Sequence, residues 1–340
     1  MVTYVIVIII LALLFDFSNG LNDAANSIAT VVATRVLSPR KAVAWAAFFN
    51  FVAAFGFGTH VASTIGKGLV QPGVIDPHMI LAALVSAIVW TIVCTRKGLP
   101  ISVSHTLIGS LAGVAIVKGG PGALIWSKLG IVAAFIVLSP VIGLVLGAVM
   151  MVVSIRMVYR KSPRSVDRLF RWLQLLSAAV YSLSHGLNDA QKTMGIIFAL
   201  LMSVPALRSW ATRDGHAGTQ EIAWWIILSC HAAIALGTYI GGWNVIKTLG
   251  HKVTKLQPFS GFCAETGGGV TILALSAFGI PVSTTHTITG AIFGVGAVHR
   301  LGAVRWRVGT EIVMAWVLTL PVSASLAAGI YTLVRFFLVR

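Results

Sequence analysis

The sequence predicts an all-α, polytopic membrane protein made of two homologous halves, and three observations support this fold class. Hydrophobic residues make up 57% of the 340 positions and charged residues only 10%, against about 25% charged residues in a soluble domain. The apolar runs are long and unbroken, unlike the short alternating segments of a transmembrane β-barrel. Motifs of the first half recur in the second half. Together these features exclude a disordered chain, a fibrous protein and almost any soluble enzyme.

The first apolar run, MVTYVIVIIILALLF, is interpreted as a retained span, because no basic leader and no cleavage site accompany it. Two segments, 100–117 and 281–298, begin with Pro and are rich in Ser, Thr and Gly. They are too short or too polar for a lipid-facing helix of about 20 residues. We therefore expect broken or re-entrant helices buried within the protein. Further spans are predicted from the apolar stretches 41–64, 78–95, 122–155, 172–203, 222–245, 262–279 and 308–338.

The basic segment RMVYRKSPRSVDRLFR, residues 156–171, lies at the midpoint of the chain. It carries six Arg or Lys residues and one Asp, which predicts a cytoplasmic linker between a first transmembrane repeat, 1–155, and a second, 172–340. The overall excess of 25 basic over 9 acidic residues is explained by the same positive-inside rule and by attraction to anionic lipid. No basic face with interleaved aromatic residues is present, so no nucleic-acid partner is predicted.

The two halves share three motifs in one order, which indicates a duplication. The matches are SNGLNDAANS (18–27) with SHGLNDAQKT (184–193), AAFGFGT (53–59) with AIALGT (233–238), and GLPISVSHTLIGSLAGV (98–114) with GIPVSTTHTITGAIFGV (279–295). Duplicated membrane halves typically surround a midplane site made by discontinuous helices, an architecture of secondary transporters rather than of enzymes. We expect the repeats to be inverted.

The Asn-Asp pairs within the first motif place Asp23 and Asp189 inside apolar runs. A carboxylate there costs about 2.5–3.5 kcal/mol unless it is paired or hydrated. Gly20 and Gly186 are predicted to permit a local break in the helix, at which the Asn and Asp oxygens would bind a small cation or the carboxylate would carry a proton. The alternative is that these residues only cap helices.

The hydroxyl-rich motifs PISVSHT and PVSTTHT predict an anion site. Pro suits the first turn of a helix, and Ser or Thr satisfy its free N–H groups. The N–H groups and partial positive charge of a buried helix N-terminus favour phosphate or sulfate. Two such ends facing each other would enclose a tetrahedral anion. The alternative is ordinary capping, with the hydroxyls bonded back to helix carbonyls.

The second half departs from the first after its Asn-Asp pair, where Gln191 and Lys192 replace Ala25 and Asn26. Lys192 is expected to pair with Asp189 or to neutralise the anion, with snorkelling to an interface as the alternative. Glu265, beside a glycine run, is a candidate proton or cation site or a member of a structural ion pair.

No metal site is predicted. His105 and His286 occupy the same repeat position but lack further donors for a metal, so they are expected to orient the loop or to contact the anion. The three cysteines form no CxxC pair and predict neither a disulfide framework nor a zinc site. His185 aligns with Asn19, which suggests an asymmetric role. His231 and Asn50 are interpreted as satisfied core groups.

The motifs GLNDAAN and SHGLNDAQK, with PISVSHT and PVSTTHT, resemble those of the inorganic phosphate transporter (PiT) family, in its bacterial low-affinity form. The resemblance extends from about residue 10 to residue 335. It implies an inverted-repeat carrier, not an enzyme, that works by alternating access as a homodimer in the bacterial inner membrane. Phosphate would move with a proton or sodium, and no cofactor is implied.

The resemblance implies site roles for the Asn-Asp and hydroxyl residues, and the reading of the residues themselves adds Lys192, Gln191 and Glu265 as candidates. The phosphate-binding candidates are Asn22, Asp23, Ser102, Ser104, Thr106, Asn188, Asp189, Lys192, Ser283, Thr284, Thr285 and Thr287. The coupling-ion candidates are Asp23, Asn26, Asp189, Gln191 and Glu265. The sodium-coupled pattern of the family has a second Asn-rich motif where Gln191 and Lys192 stand here. Because Lys192 supplies a positive charge, fewer sodium ions are needed, and we expect proton coupling.

Three other functions compete with phosphate symport. A sulfate permease would use the same site, but sulfate has no proton to donate to a carboxylate, whereas phosphate has. A membrane enzyme acting on phosphorylated lipid would need a nucleophile or metal cluster near an interface, and the sequence shows neither. A channel is compatible with buried carboxylates, but the two-fold repeat favours alternating access.

Overall fold

The computed structural model describes residues 2–56, 58–62, 64, 69–213 and 221–338, and the statements that follow concern these residues. The chain is almost entirely helical. Its main helices fall into two sets of five, and members of the two sets correspond in order. They are α1 (Val2–Ala33), α2 (Pro39–Val52), α3 (Pro77–Lys97), α4 (Val103–Gly119) and α5 (Trp126–Val158), then α6 (Pro163–Ser203), α7 (Trp224–Ile240), α8 (Pro258–Ala277), α9 (Thr284–His299) and α10 (Trp306–Leu338).

Several of the predicted spans, though not 41–64, 172–203 or 262–279, correspond to helices long and apolar enough to cross a membrane. Within the described residues they are α1, α3, α5 and α10. A further candidate span is the helix pair Trp224–Ile240 and Trp243–Lys252, which is bent by 62°. The outer face of α5 shows why such a helix suits lipid. Valines recur on it at four-residue intervals and are 48–63% exposed (Val137, Val141, Val145 and Val149). No water-soluble surface would present such a stripe, so the chain is an integral membrane protein.

The opposite face of α5 is built from small residues that admit another backbone. A Cβ on Gly143 would lie 2.3 Å from the Thr287 oxygen, and one on Gly147 would lie 2.7 Å from the Ala291 oxygen. Glycine is therefore required where α5 meets α9, as is usual at close helix contacts in membranes. Because α9 belongs to the other half of the chain, this contact joins the two halves.

The packing of the helices repeats when the two halves are exchanged. Helix α9 packs along α5, and α4 packs along α10 in the same way. Likewise α1 contacts α3 and α7, while α6 contacts α8 and α2. Each half therefore places its short fourth helix against the long fifth helix of the other. This exchange agrees with the duplication read from the motifs.

The corresponding helices α1 and α6 run in opposite directions. Asp16, in the first part of α1, lies near Thr193 in the last part of α6. Thr34, just beyond α1, donates a hydrogen bond of 2.9 Å to Gln174, in the first part of α6. An inverted repeat requires this antiparallel relation between equivalent helices, so these contacts support the inverted arrangement that we expect.

The two predicted re-entrant segments, 100–117 and 281–298, correspond to α4 and α9. Both helices begin in the interior, where the ring centroids of His105 and His286 are 4.8 Å apart. Ser102 and Ser283 cap them by accepting hydrogen bonds of 3.2 Å from the backbone N–H groups three residues later. The N-termini of α4 and α9 therefore meet inside the protein, as the hydroxyl motifs predict.

The predicted helix breaks at Gly20 and Gly186 are wrong. Helices α1 and α6 continue through both Asn-Asp motifs. A Cβ on Gly20 would lie 2.2 Å from the backbone oxygen of Ile234, and one on Gly186 would lie 2.7 Å from that of Asn50. These glycines bring α1 against α7 and α6 against α2. The polar side chains are consequently presented by continuous helices.

The basic segment 156–171 is mostly helical. Helix α5 ends at Val158 and α6 begins at Pro163, after the N-cap Ser162, so residues 159–162 form the turn between them. Arg171 pairs with Asp167 at 2.9 Å and donates to the backbone oxygen of Arg35, 3.3 Å away. The segment therefore contacts the chain just after α1, and the two lie on the same side of the molecule.

Candidate functional site

The two Asn-Asp motifs meet beside the N-terminus of α9. Asp23 accepts hydrogen bonds from the hydroxyls of Thr285, at 3.0 Å, and Thr284, at 3.3 Å. Asp189 accepts from the same Thr284 hydroxyl at 3.1 Å. One hydroxyl has a single proton, so it donates to only one of these carboxylates at a time. All four side chains are buried. The helices α1, α6 and α9 thus bring both carboxylates to one point.

His185 lies between the two carboxylates. Its Nε2 is 3.1 Å from Asp189 and 3.7 Å from Asp23. Its Nδ1 is 3.1 Å from the Asn50 side-chain oxygen, while the Asn50 amide donates to Thr238 at 2.9 Å. With Nδ1–H directed to Asn50, Nε2 attracts the carboxylates only when it also carries a proton. The contact therefore places a proton within this group of three side chains.

Lys192 connects the carboxylates to the other half of the protein. Its ammonium contacts Asp189 and the Ser104 hydroxyl, and donates to the Val282 carbonyl at 3.0 Å. The side chain is 2% exposed, so it is enclosed and does not reach an interface as a snorkelling lysine would. Ser104 stands in the first turn of α4, and Val282 immediately precedes α9. The cation is thus placed where the two predicted anion-binding helix ends meet.

The charges of this centre balance without a bound ion. Two carboxylates, Asp23 and Asp189, face the ammonium of Lys192 and the imidazole of His185. When His185 is protonated the four groups sum to zero. A buried ion pair is costly unless its members are paired and hydrogen bonded, and here each carboxylate has both a cationic and a hydroxyl partner. The centre is therefore compatible with a membrane interior.

The asparagines of the motifs donate locally and leave their oxygens free. The Asn26 amide donates to Thr285 at 2.9 Å, the Asn22 amide to Thr95 at 2.8 Å, and the Asn188 amide to a backbone carbonyl at 2.9 Å. The side-chain oxygens of all three are buried without a hydrogen-bond partner among the described residues. Such oxygens are acceptors with spare capacity and suit a hard cation.

The predicted hydroxyls separate into two groups. Ser102 and Ser283 cap their helices, as described above, and Thr106 and Thr287 donate back to those two residues' carbonyls at 3.1 and 2.9 Å. Their direct contact with an anion stays a prediction. Ser104, Thr284 and Thr285 instead contact Lys192 or the carboxylates. The hydroxyls that face the centre therefore come from the first turns of both α4 and α9.

Two coupling-ion candidates lie outside this centre. The Gln191 side chain accepts from the backbone of Val61 at 2.9 Å and donates to that of Gly58 at 2.9 Å. It therefore holds segment 58–62 against α6 and does not point to the carboxylates. Glu265 accepts from Gln174 at 3.1 Å and from Ser177, toward the other end of α6. If either residue takes part in coupling, it does so without contacting Asp23 or Asp189.

A polar cavity of about 380 Å³ adjoins Gln191. Its walls include Leu187 and Met194 of α6 and an Arg213–Glu221 ion pair of 3.1 Å in the loop before α7. Gln191 precedes Lys192 in the sequence, so the cavity borders the part of α6 that also carries the buried ammonium.

A cation could also bind between the carboxylates. One ligand atom each from Asp23, His185 and Asp189 lies within 4.8 Å of the others. Two carboxylate oxygens with one imidazole suit a small cation when the imidazole is neutral. That no metal ion is bound at this point stays a prediction.

Sequence reasoning underestimated three residues of the centre. Asn50, interpreted as a core group, positions the His185 ring, and its backbone oxygen contacts His231 at 2.9 Å. Tyr181 donates to the Thr284 carbonyl at 3.1 Å and so supports the first turn of α9. The signal for His185 was its alignment with Asn19, because a titratable residue replaced an amide beside the motif. Asn50 and Tyr181 carried no comparable signal.

Comparison with known proteins gives one consistent result. The Phosphate transporter family profile matches residues 19–327. Proteins named "Probable low-affinity inorganic phosphate transporter" from Rhizobium meliloti (strain 1021) and Bacillus subtilis (strain 168) are 52% and 41% identical to the chain, over 95% and 96% of its length and 94% and 96% of theirs. A solved structure called "The sodium-dependent phosphate transporter" has a TM-score of 0.86 and 27% identity, and the match covers 99% of this chain and 100% of that one.

Proposed function

Because the chain belongs to the phosphate transporter family, we propose that it imports inorganic phosphate by secondary active transport coupled to protons. The observation that carries the proton coupling is the buried Lys192, which contacts both Asp189 and Ser104. It supplies, within the chain, a positive charge that a coupled sodium ion would otherwise provide. The solved relative is named for its dependence on sodium, so the coupling ion is the point at which the two proteins would differ.

The anion site we propose lies between the first turns of α4 and α9. Ser104 and Thr285 offer hydroxyls from the two halves, and Lys192 offers a charge-assisted donor. A phosphate entering here would take Lys192 from Asp189 and keep its own O–H groups directed to a carboxylate. Sulfate has no such proton at neutral pH, so Asp23 and Asp189 favour phosphate over sulfate. No contact among the described residues favours sulfate specifically.

The inverted relation of the halves provides the transport cycle. In an inverted repeat, each half adopts in turn the conformation of the other, which opens a central site alternately to the two sides. The antiparallel α1 and α6 both contribute to the centre, so movement of one against the other changes access to it. We further propose that the basic segment 156–171 faces the cytoplasm of a bacterial inner membrane, and that the protein is a homodimer.

Sodium coupling is the second candidate, and the unpartnered oxygens of Asn22, Asn26 and Asn188 are the observation that favours it. These oxygens and the carboxylates would ligate sodium, with Lys192 reducing the number of ions needed. Proton coupling requires a proton gradient and sodium coupling requires added sodium, so one assay of phosphate uptake into liposomes separates the two candidates.

Uptake of radiolabelled phosphate into proteoliposomes tests the proposal. In sodium-free buffer an inward proton gradient should drive accumulation, and excess sulfate should not compete. Accumulation that requires sodium and ignores a proton gradient would replace proton coupling by sodium coupling. Absence of phosphate uptake under both gradients would contradict phosphate transport itself. Asp167→Asn, an exposed change in the basic segment, is the matched control and should behave as wild type.

A further inference from the structure

Asp16 is a buried carboxylate of α1 that lies outside the centre described above. It is 0% exposed and precedes Asp23 by seven residues, which places it two turns away on nearly the same face of the helix. Asn19 lies between them on that face and is also buried. In the second half the position that corresponds to Asp16 holds Ser182. The first half therefore has a carboxylate at this position, and the second half does not.

Asp16 differs from every other described carboxylate in having no hydrogen-bond donor or cation. The chain has nine acidic residues, of which eight lie in the described part. Both oxygens of Asp16 are buried without a partner. The remaining seven each contact a donor or cation: Asp23, Asp76, Asp167, Asp189, Glu221, Glu265 and Glu311. A donor or cation is thus in contact with the carboxylate at seven positions and with neither oxygen at Asp16.

The groups around Asp16 leave its carboxylate able to accept a proton, because no positively charged group among the described residues is in contact with it. The Thr193 hydroxyl of α6 approaches the carboxylate without reaching hydrogen-bonding geometry, and the charges acting on Asp16 from α6 are Asp189, His185 and Lys192. From α7 the titratable neighbour is the buried thiol of Cys230. The cations among these already contact Asp189. Both oxygens of Asp16 therefore have acceptor capacity that no group among the described residues uses and that a bound proton would satisfy.

We propose that Asp16 is the carboxylate that binds the coupled proton. The inference rests on the proposed phosphate–proton symport and assigns its proton site. Phosphate held by Lys192 and Ser104 would draw the ammonium from Asp189 and add negative charge near Asp16. Added negative charge increases the affinity of Asp16 for a proton, and by linkage the proton increases the affinity for phosphate to the same extent. The proton is taken from water on one side, forms an O–H bond on Asp16, and returns to water on the other.

Asp16→Asn separates coupling from transport, because the amide imitates the protonated acid in shape and charge. In proteoliposomes with equal phosphate on both sides, the variant should exchange labelled phosphate at a rate within about twofold of wild type. Under an inward proton gradient of one pH unit, wild type should accumulate phosphate about tenfold per coupled proton, and the variant should not accumulate it. Asp167→Asn should accumulate it as wild type does.

The outcomes distinguish this inference from the transport proposal. Accumulation by Asp16→Asn under a proton gradient would overturn the assignment and leave symport intact. Loss of exchange as well as accumulation in a folded variant would also overturn it, since Asp16 would then serve the carrier cycle. If wild type neither exchanges nor accumulates phosphate, the transport proposal has failed and the inference falls with it. Asp16→Ser, which introduces the residue of the second repeat, should show the same separation of exchange from accumulation and serves if the Asn variant does not fold.

Discussion

Replacing Lys192 by Asn tests how the buried charges of the centre are balanced. The change gives the second motif the residue that stands at the matching position of the first, Asn26. It removes an ammonium that contacts Asp189, Ser104 and the Val282 carbonyl. A shorter, neutral amide cannot reach all three groups. Asp189 would keep its imidazole and hydroxyl contacts but lose its closest positive charge.

The expected cost follows from the burial of the pair. Lys192 and Asp189 are 2% and 1% exposed, and removing one partner of a buried pair costs about 3–5 kcal/mol. The matched control is the same substitution at Lys118. Its pair with Asp76 is 21% and 35% exposed, so water screens the two charges more and the loss should cost less than at position 192. The difference between the two variants isolates the effect of burial.

Sodium should restore part of the stability lost at position 192. A cation bound by Asp189 and the neighbouring amide oxygens would replace the missing charge, and a ligand at about 100 times its Kd adds about 2.7 kcal/mol. We therefore expect Lys192→Asn to unfold at a lower temperature in choline chloride and to regain stability in sodium chloride of equal ionic strength. Its phosphate uptake should then depend on sodium, whereas uptake by wild type should not.

Thermal unfolding of the detergent-solubilised protein and uptake by proteoliposomes measure these effects. If Lys192→Asn unfolds at the same temperature as Lys118→Asn in choline, the ammonium does not stabilise the buried carboxylate. If sodium leaves both the unfolding and the uptake of the variant unchanged, the lysine does not stand in for an ion. Either result would refute the charge balance proposed for the centre.

Three further predictions concern the centre and the helix contacts around it. Asp23→Asn and Asp189→Asn should each abolish phosphate uptake in a folded protein, because the two carboxylates, from α1 and α6, meet at the hydroxyls of α9. Uptake measures the loss of transport, and thermal unfolding shows that the variant is folded. Ser104→Ala and Thr285→Ala should each weaken phosphate binding by about 1.5–3 kcal/mol, the value of a hydrogen bond to a charged group, as measured by calorimetric titration. Gly237→Ala should lower both the unfolding temperature and uptake, because its Cβ would lie 2.0 Å from a backbone oxygen of α1.

Each of these has a result that would contradict it. Normal uptake by both Asp variants would remove the carboxylates from the site, and unchanged affinity in both hydroxyl variants would count against a pocket shared by α4 and α9. Gly329→Ala is the control for the glycine change, since a Cβ there meets nothing within 4 Å. Equal stability of the two glycine variants would mean that α1 and α7 are not in close contact.

The positions of the short helices and of the motifs could be predicted from the sequence because both are local properties. Pro100 and Pro281 mark the starts of segments that became α4 and α9, and the serines after them became caps. The three repeated motifs indicated the duplication without any structure, since Asn-Asp and Ser-x-His-Thr do not recur in order by chance. The glycines were misread because a glycine looks the same whether it breaks a helix or admits a neighbouring one.

The sequence by itself determined the fold class, the duplication and the family, because composition, spacing and motif identity depend on the order of residues alone. Only the tertiary structure decided which polar groups meet. It enclosed Lys192 between Asp189 and Ser104, turned Gln191 toward segment 58–62, and left Asp16 without a partner. These outcomes depend on how antiparallel helices from different halves are rotated and packed against each other. That packing is set by contacts between residues far apart in the sequence, such as Lys192 and Ser104, which are 88 positions apart, and no local pattern encodes it.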